Sequence, residues 1–374
     1  MKPVKRRKKL KVSIITVCLN SVNTIEQTIQ SVLNQTYKDI EYIVIDGGSN
    51  DGTCEIIEKY KNQITYYVSE PDNGIYFAMN KGINQASGDI IGILNSDDWY
   101  DLYTIGRVVE TFEKYDCDML HGKLSIVYAD NLNRIVDERK LDDLYVGMNI
   151  AHPTVFVKHE VYDKYGVFNE RYISASDYEL MLRLYTLGID IKFVPYVLTY
   201  FRLGGFSQKK EMVNIEESYQ ISRHYIEKYK SLDKSVWLNK LEYIYSYKMK
   251  RVQLKNVIAN FDSEVRGEIV SLLGNHIAIF GTGNYGIVCY ELLKFLAVNF
   301  DVWIDNNVVK QKSTLLEKRI VSLQEAIEKS DMIIIASKDY ENEMREQILS
   351  YRIDNIKYMS LFDLEKVILA YGQK

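Results

Sequence analysis

The side chains best placed to do chemistry are two adjacent carboxylates. Asp97 and Asp98 stand in the run Leu94-Asn95-Ser96-Asp97-Asp98-Trp99-Tyr100-Asp101, directly behind the apolar stretch Ile90-Ile91-Gly92-Ile93-Leu94. That stretch reads as a buried strand, and open α/β sheets bind their ligands at the carboxyl ends of such strands. The two acids point to roughly opposite sides of the chain, so one can hold a metal while the other holds a sugar hydroxyl. Mg²⁺ or Mn²⁺ takes carboxylate oxygen and shares it with substrate phosphates. The same run also suits simple capping of a following helix.

Asp46 closes the run Glu41 to Asp46 and precedes Gly47-Gly48-Ser49. Its carboxylate can accept hydrogen bonds from a nucleobase or ribose, or it can cap the turn. The glycines either admit a flat ligand or make the turn tight. Asp177 lies in Ser174-Ala175-Ser176-Asp177-Tyr178-Glu179-Leu180-Met181-Leu182-Arg183-Leu184. Leu180, Met181 and Leu184 predict a helix from about Ser176 to Thr186 with Asp177 in its first turn. A carboxylate there is a cap or a general base.

The elements that position these acids alternate between strand and helix. Strands are predicted at Val12 to Cys18, Glu41 to Asp46, Ile64 to Ser69 and Ile90 to Leu94. Between them lie one helix carrying Ile25, Ile29, Val32 and Leu33, and another carrying Ile56, Ile57 and Tyr60. This alternation implies a parallel sheet covered on both faces. Looser strands follow near Met119–Val127, Thr154–Val157 and Ile191–Tyr200. The region 209–272 reads as helices, with Ile215, Tyr219 and Ile226 on one face and Trp237, Leu241, Ile244 and Tyr245 on another, a pattern of helix-on-helix packing. Strands return at His276 to Phe280, Val302 to Asp305, Met332 to Ala336 and Ile356 to Met359.

The motifs then occur in a telling order: Val12-Ser-Ile-Ile-Thr-Val-Cys-Leu-Asn20, Ser31-Val-Leu-Asn-Gln-Thr36, Ile45-Asp-Gly-Gly-Ser-Asn-Asp-Gly-Thr53, Asp72-Asn-Gly-Ile-Tyr76, Asn80-Lys-Gly82 and Asn95-Ser-Asp-Asp98. Together they resemble family 2 glycosyltransferases over about residues 10–230. The resemblance implies a GT-A fold, a nucleotide-sugar donor, a divalent metal and inversion at the anomeric carbon. Carried over by position, it implies that Thr16 and Val17 line the base and that Asn20 belongs to the donor site. Asp46 would hydrogen-bond the base, Asp97 the ribose or the metal, and Asp98 the metal. Asp177 would deprotonate the acceptor hydroxyl. Asn95 departs from the family's Asp-x-Asp pattern, and Phe77 stands where relatives often carry Asp. His152, in Ala151-His-Pro-Thr-Val-Phe156, resembles a motif of relatives acting on cell-surface glycans; it is either a satisfied structural histidine, the reading preferred, or a contact to acceptor or donor diphosphate. Gly204-Gly205-Phe206-Ser207 is either a loop closing over the donor or a connector.

The C-terminal region has a signal of its own. Gly281-Thr-Gly283-Asn-Tyr-Gly286 follows a predicted strand, and Asp305 ends the next. This is the setting of a dinucleotide fingerprint, and it resembles the Rossmann-like domain appended to many sugar-modifying enzymes. Either NAD(P) binding or a structural or regulatory role fits, and no proton-transfer residue is evident beside the loop.

Composition sets the outer bounds. With 374 residues and 47% hydrophobic content, two or three domains are expected. A net charge of −4 gives no global reason to expect a nucleic-acid partner. Lys2 to Lys11 is strongly basic, either a solvated tail or a patch for an anionic membrane surface. No signal peptide or span-length apolar run is seen. Cys18, Cys54, Cys117 and Cys289 lack metal or disulfide spacing, which suits a reducing cytosol.

The expected architecture is α/β: a basic tail (1–10), a GT-A nucleotide-sugar-binding domain (11–208), a helical connector (209–272) and a small Rossmann-like parallel-sheet domain (273–374). The expected activity is inverting, metal-dependent transfer from a nucleotide sugar, most readily a UDP-sugar, to a glycan or polyprenyl-linked acceptor in cell-surface polysaccharide synthesis. The expected location is cytoplasmic, with peripheral membrane contact through the basic patch. Two alternatives stand beside it, a nucleotide-sugar oxidoreductase or epimerase run by the C-terminal domain, and a non-catalytic glycan-pathway binding protein.

Overall fold

The computed structural model describes residues 9–128, 133–204, 210–229, 233–351 and 356–373. Lys2, Lys5, Arg6, Arg7 and Lys8 of the basic start, and Gly205, Phe206 and Ser207 of the glycine-containing loop, lie outside the described residues. Contacts divide the chain into one unit ending at Tyr245 and a second beginning at Ser246. The four cysteines are free thiols. Among the described residues, no helix is long and apolar enough to cross a membrane.

In the first unit the chain runs β1 (Val12–Cys18), α1 (Ile25–Leu33), β2 (Ile40–Asp46), α2 (Thr53–Lys59), β3 (Tyr66–Ser69), α3 (Ile75–Gln85) and β4 (Ile90–Asn95). It continues through β5 (Trp99–Tyr100), α4 (Thr104–Tyr115), β6 (Met119–Val127), β7 (Asn133–Val136), β8 (Phe156–Lys158), α5 (His159–Tyr165), α6 (Ser176–Thr186), β9 (Ile191–Arg202) and α7 (Glu211–Lys228). Helix α8 (Lys234–Ala259) contains the division between the units.

The sheet order is β3-β2-β1-β4-β8-β6-β9-β5, with β7 beside β6. The first four strands are parallel, as the βα alternation predicts. The far half is mixed: β8 runs antiparallel to β4 and β6, while β9 runs parallel to β6. Two-residue periodicity splits the central strands between two apolar layers. Ile15, Val17, Ile43, Ile45, Ile91 and Ile93 face the layer built with α3, α6 and α7. Ile14, Tyr42, Val44, Ile90 and Leu94 face the layer of α1 and α4. Burying each such isoleucine contributes about 1.5–3 kcal/mol.

Two features go beyond the sequence reading. Residues 75–85, read there only as motifs, form helix α3, anchored where Asn80 Nδ2 donates to the Phe168 carbonyl at 2.9 Å and Asn80 Oδ1 accepts from the Phe168 amide at 3.0 Å. The acidic run does not cap a helix. It leads into the short strand β5, whose Trp99 pairs with Tyr200 of β9 and stacks on its ring at 5.4 Å.

The second unit contains α9 (Ser263–Leu273), β10 (Ile277–Phe280), α10 (Asn284–Phe295), β11 (Val302–Ile304), β12 (Thr314–Leu315), β13 (Lys318–Val321), α11 (Leu323–Ile327), β14 (Met332–Ile335), α12 (Glu341–Ser350), β15 (Lys357–Ser360) and α13 (Leu361–Tyr371). Its sheet order is β12-β13-β11-β10-β14-β15, parallel except for the edge strand β12.

Candidate active site

Parallel register brings Cys18, Asp46 and Asn95 to one sheet edge, because Cys18 lies opposite Asp46 and Val17 opposite Asn95. Thr16 and Val17 themselves are buried within the ladder; Thr16 Oγ1 accepts from the Tyr42 hydroxyl at 3.1 Å. The exposed lip starts one residue after β1, at Leu19 and Asn20. Asn20 Oδ1 accepts from the Asn50 amide at 3.0 Å, and the Asn20 amide donates to Ser49 Oγ at 2.7 Å. Ser21 Oγ meets Ser96 Oγ at 2.7 Å, tying this lip to the acidic run.

Asp46 has no exposed surface. Its Oδ2 accepts from the Gly48 amide at 3.1 Å, the Ser49 amide at 2.9 Å and Ser69 Oγ at 2.6 Å, while Oδ1 accepts from Ser49 Oγ and the Cys18 thiol. Burial alone would raise its pKa; the bonds from Ser49 and Ser69 outweigh that and hold it below the ordinary carboxylate value. Gly48, at φ +87°, lets this turn lie against Pro71, where a Cβ would come within 3.2 Å of its backbone nitrogen. Asp46 shapes the lip, and its lone pairs are engaged by that turn.

Asp97 and Asp98 part company. Asp97 is partly exposed, whereas Asp98 is fully buried. Asp98 Oδ1 accepts from the Arg202 amide at 3.1 Å, and its Oδ2 has no hydrogen-bond partner. Burial, then the neighbouring Asp97 charge, push the Asp98 pKa well above the usual carboxylate range. Asn95 Oδ1 is a second buried oxygen with no partner. No group of three metal-ligating side chains is found among the described residues. This oxygen-only set fits a hard divalent cation held by one or two protein oxygens and completed by substrate phosphates and water.

Arg202, at the end of β9, escaped the sequence reading, and its only signal there is a lone cation before a glycine pair. Its Nε donates to the Asp97 carbonyl at 3.3 Å, its Nη2 to Gln27 Oε1 at 2.7 Å, and its guanidinium lies 5.1 Å from the Trp99 ring centre. These contacts hold a planar donor fork beside the acidic run, suited to phosphate oxygens.

Three separated motifs meet at the start of α6. Tyr76 donates its hydroxyl to Asp177 Oδ1 at 3.0 Å, and its ring stacks on Phe168 at 5.5 Å. His152 is buried edge-on against Phe168 at 5.6 Å. Burial lowers the His152 pKa and the Asp177 charge opposes that, so a neutral imidazole stands near Asp177. Asp177 is partly exposed in the first turn of α6, while Leu180, Met181 and Leu184 behind it are fully buried. A partly exposed carboxylate anchored by one phenol is a group that can take a proton from a hydroxyl.

In the second unit Gly281 and Gly283 connect β10 to α10, and Gly286 lies in the first turn of that helix. Gly286 permits the close helix-to-strand approach, since a Cβ there would lie 2.0 Å from the Gly281 carbonyl oxygen. Asp305 is committed locally: it accepts from Thr282 Oγ1, from Lys310 Nζ at 2.9 Å and from the Asn307 amide at 2.8 Å. The sequence reading also passed over a Tyr-x-x-x-Lys spacing in Tyr290 and Lys294. The pair stands about two turns along α10, with Lys294 Nζ 3.5 Å from the Tyr290 hydroxyl and the Tyr290 ring on Phe300 at 5.9 Å. That is an i,i+4 contact on the helix flank.

Comparison with known proteins identifies the family. The profile described as glycosyl transferase family 2 matches residues 13–168, and one described as C2185-like, N-terminal, matches residues 273–359. An uncharacterized glycosyltransferase of Mycobacterium tuberculosis is 31% identical over 183 residues, 46% of this chain and 68% of that protein. The Escherichia coli UDP-Glc:alpha-D-GlcNAc-diphosphoundecaprenol beta-1,3-glucosyltransferase WfaP is 29% identical over 224 residues, 57% of this chain and 88% of that protein. The fold is shared with S. aureus TarS 1-349 in complex with UDP-GlcNAc, at TM-score 0.53 and 20% identity over 71% of this chain and 80% of that one. It is shared too with the Pyrobaculum calidifontis mannosyltransferase PcManGT, at TM-score 0.52 and 14% identity over 78% of this chain and 86% of that one. With its parallel half-sheet, ordered motifs and these relatives, the chain belongs to glycosyl transferase family 2 and is a glycosyltransferase.

Proposed function

We propose that this glycosyltransferase inverts the anomeric centre of a nucleotide sugar and passes the sugar to a hydroxyl of a glycan or polyprenyl-linked acceptor in cell-surface polysaccharide synthesis, as a hexosyl- or N-acetylhexosaminyl-transferase. The observation that carries this reading is the Tyr76–Asp177 contact: it ties the first turn of α3, which carries one of the ordered motifs, to a partly exposed carboxylate at the start of α6. The acceptor oxygen attacks the anomeric carbon from the face opposite the diphosphate. Its proton passes to Asp177, and the electron pair of the breaking bond leaves on the diphosphate oxygen. Asn20 and the Asp46 turn form the lip for the base, and Arg202 faces the phosphates. His152 stays neutral beside the reacting groups.

Asp97, rather than the enclosed Asp98, is proposed as the residue that would hold Mg²⁺ or Mn²⁺. A cation bound there supplies counter-charge to the departing diphosphate. The UDP-sugar and diphospho-lipid in the name of WfaP, the UDP-GlcNAc bound to TarS and the GDP-Man and Mn²⁺ bound to PcManGT support this choice of donor, acceptor and metal. The engaged Asp305 gives the oxidoreductase alternative no support, since a ribose would have to displace Thr282 and Lys310.

The test is a donor screen with purified protein, scoring release of UDP, GDP or dTDP with and without chelator, for wild type and Asp177→Asn. The substitution keeps shape while removing basicity, so turnover should fall roughly 10²–10⁴-fold with donor affinity retained. Wild-type turnover in the variant would place the base elsewhere.

A further inference from the structure

We infer that Glu217 is a positioning residue for Asp177, which makes helix α7 a working part of the active site; this rests on Asp177 being the base. The two Glu217 carboxylate oxygens accept three successive backbone amides, those of Ile173 at 2.7 Å, Ser174 at 2.8 Å and Ala175 at 3.0 Å. Asn214, three residues earlier and on the same helix face, donates its Nδ2 to the Ser174 carbonyl at 2.7 Å. The segment that delivers the chain into α6 is therefore held on its donor and acceptor sides by one neighbouring helix.

That grip lies just ahead of a helix start without a side-chain cap: it holds the three residues that lead into α6, not the amides of its first turn. The N-cap of α6 is Ala175, and no side chain of its own caps the helix. An alanine N-cap leaves the first turn about 1 kcal/mol short of a Ser, Thr or Asp cap. Glu217 provides a carboxylate from outside, at the end of a helix where negative charge is favoured. Its bonds to amides are charge-assisted and correspondingly strong.

The body of α6 is secured separately. Tyr225 donates to Glu179 Oε1 at 2.9 Å, Arg183 pairs with Glu179 at 3.1 Å, and the Tyr178 and Ser222 hydroxyls meet at 2.7 Å. Loss of the Glu217 carboxylate frees the first turn, and with it the Asp177 carboxylate, while the buried stem of the helix stays packed. The donor lip is built from other segments, so donor binding is unaffected. Glu217 and α7 lie beyond residues 13–168, the part of the chain that the family profile covers.

The test uses full-length Glu217→Ala, Glu217→Gln, Asp177→Asn and the Ala–Asn double variant, with kcat, donor KM, calorimetric donor Kd and melting temperature for each. A displacement of about 1 Å at a reacting group can cost on the order of 10²-fold, so Glu217→Ala should lose roughly 10–100-fold in kcat at unchanged donor Kd. The glutamine amide oxygen still accepts two amides, so Glu217→Gln should recover most of the rate. In the Asp177→Asn background, Glu217→Ala should cost less than about twofold, because residues acting as a unit are not additive.

Wild-type kcat in Glu217→Ala, or an equal loss in both backgrounds, would overturn the positioning role with the base reading intact. Lost folding or donor binding in both Glu217 variants would overturn it in favour of plain scaffolding. Wild-type turnover in Asp177→Asn would remove the base reading and this inference together, whatever Glu217→Ala does.

Discussion

Asp98 has no exposed surface and one unpartnered oxygen, and burial favours the neutral form of such a carboxyl; its neighbour Asp97 is partly exposed. The difference separates two substitutions. Asp97→Ala should weaken Mn²⁺-dependent binding of a nucleoside diphosphate by at least about tenfold, since a charge-assisted contact is worth about 1.5–3 kcal/mol. Asp98→Asn is an isostere that can still accept the Arg202 amide, and it should fold normally and bind the same ligand to within about threefold, about 0.65 kcal/mol. Calorimetry with and without Mn²⁺ decides, and the reverse ranking would return the cation to Asp98. The acids were legible in the sequence as a pair; which one stays partly exposed was not, because that depends on Arg202 pairing its amide with Asp98, 104 positions away.

Among the elements, the parallel half of the sheet is held at the amino ends of its strands by a buried acid. Glu41, near the start of β2, accepts from Lys11 Nζ at 2.7 Å, Ser13 Oγ at 2.6 Å, and the Ser87 amide and hydroxyl at 2.6 Å each. Burial alone would raise its pKa; the bonds from Lys11, Ser13 and Ser87 overcome that and lower it to about 2 from an ordinary 4.5. A folded-state pKa below the unfolded one means that the stabilisation is fully present above about pH 4.5 and disappears as pH falls toward 2. Glu41→Gln should therefore reduce unfolding free energy at pH 7 by on the order of 2 kcal/mol, with the gap to wild type closing below pH 4.5. Urea midpoints at pH 7, 5 and 3.5 measure this, and a gap independent of pH would refute it. Helix α3 shows what element-level reading missed. Its glycines at positions 74 and 82 look like loop punctuation in isolation, yet Gly82 packs on β1, where a Cβ would come within 2.3 Å of Ile15.

For the whole molecule, the basic start from Lys2 to Lys9 is expected to draw the enzyme to anionic vesicles. Each basic residue near such a surface contributes about 1 kcal/mol. Deleting the segment should leave transfer to a soluble acceptor unchanged while reducing cosedimentation with phosphatidylserine vesicles, most clearly at low salt. Equal cosedimentation of both forms would reject the patch. What the amino-acid order determined by itself is whatever depends on near neighbours. Two-residue and 3.6-residue apolar periods set most strands and helices, and six ordered motifs identify the family before any contact is known. What only the tertiary structure decided depends on partners far apart in the chain. The reversal of β8 against β4 follows from sheet pairing across some sixty residues. The meeting of Tyr76 with Asp177 spans 101 positions, and the capture of the Ser174 amide by Glu217 spans 43. Hydrogen bonds and burial are short-ranged in space and indifferent to distance along the chain, so no local pattern records which acid they enclose and which they leave partly exposed.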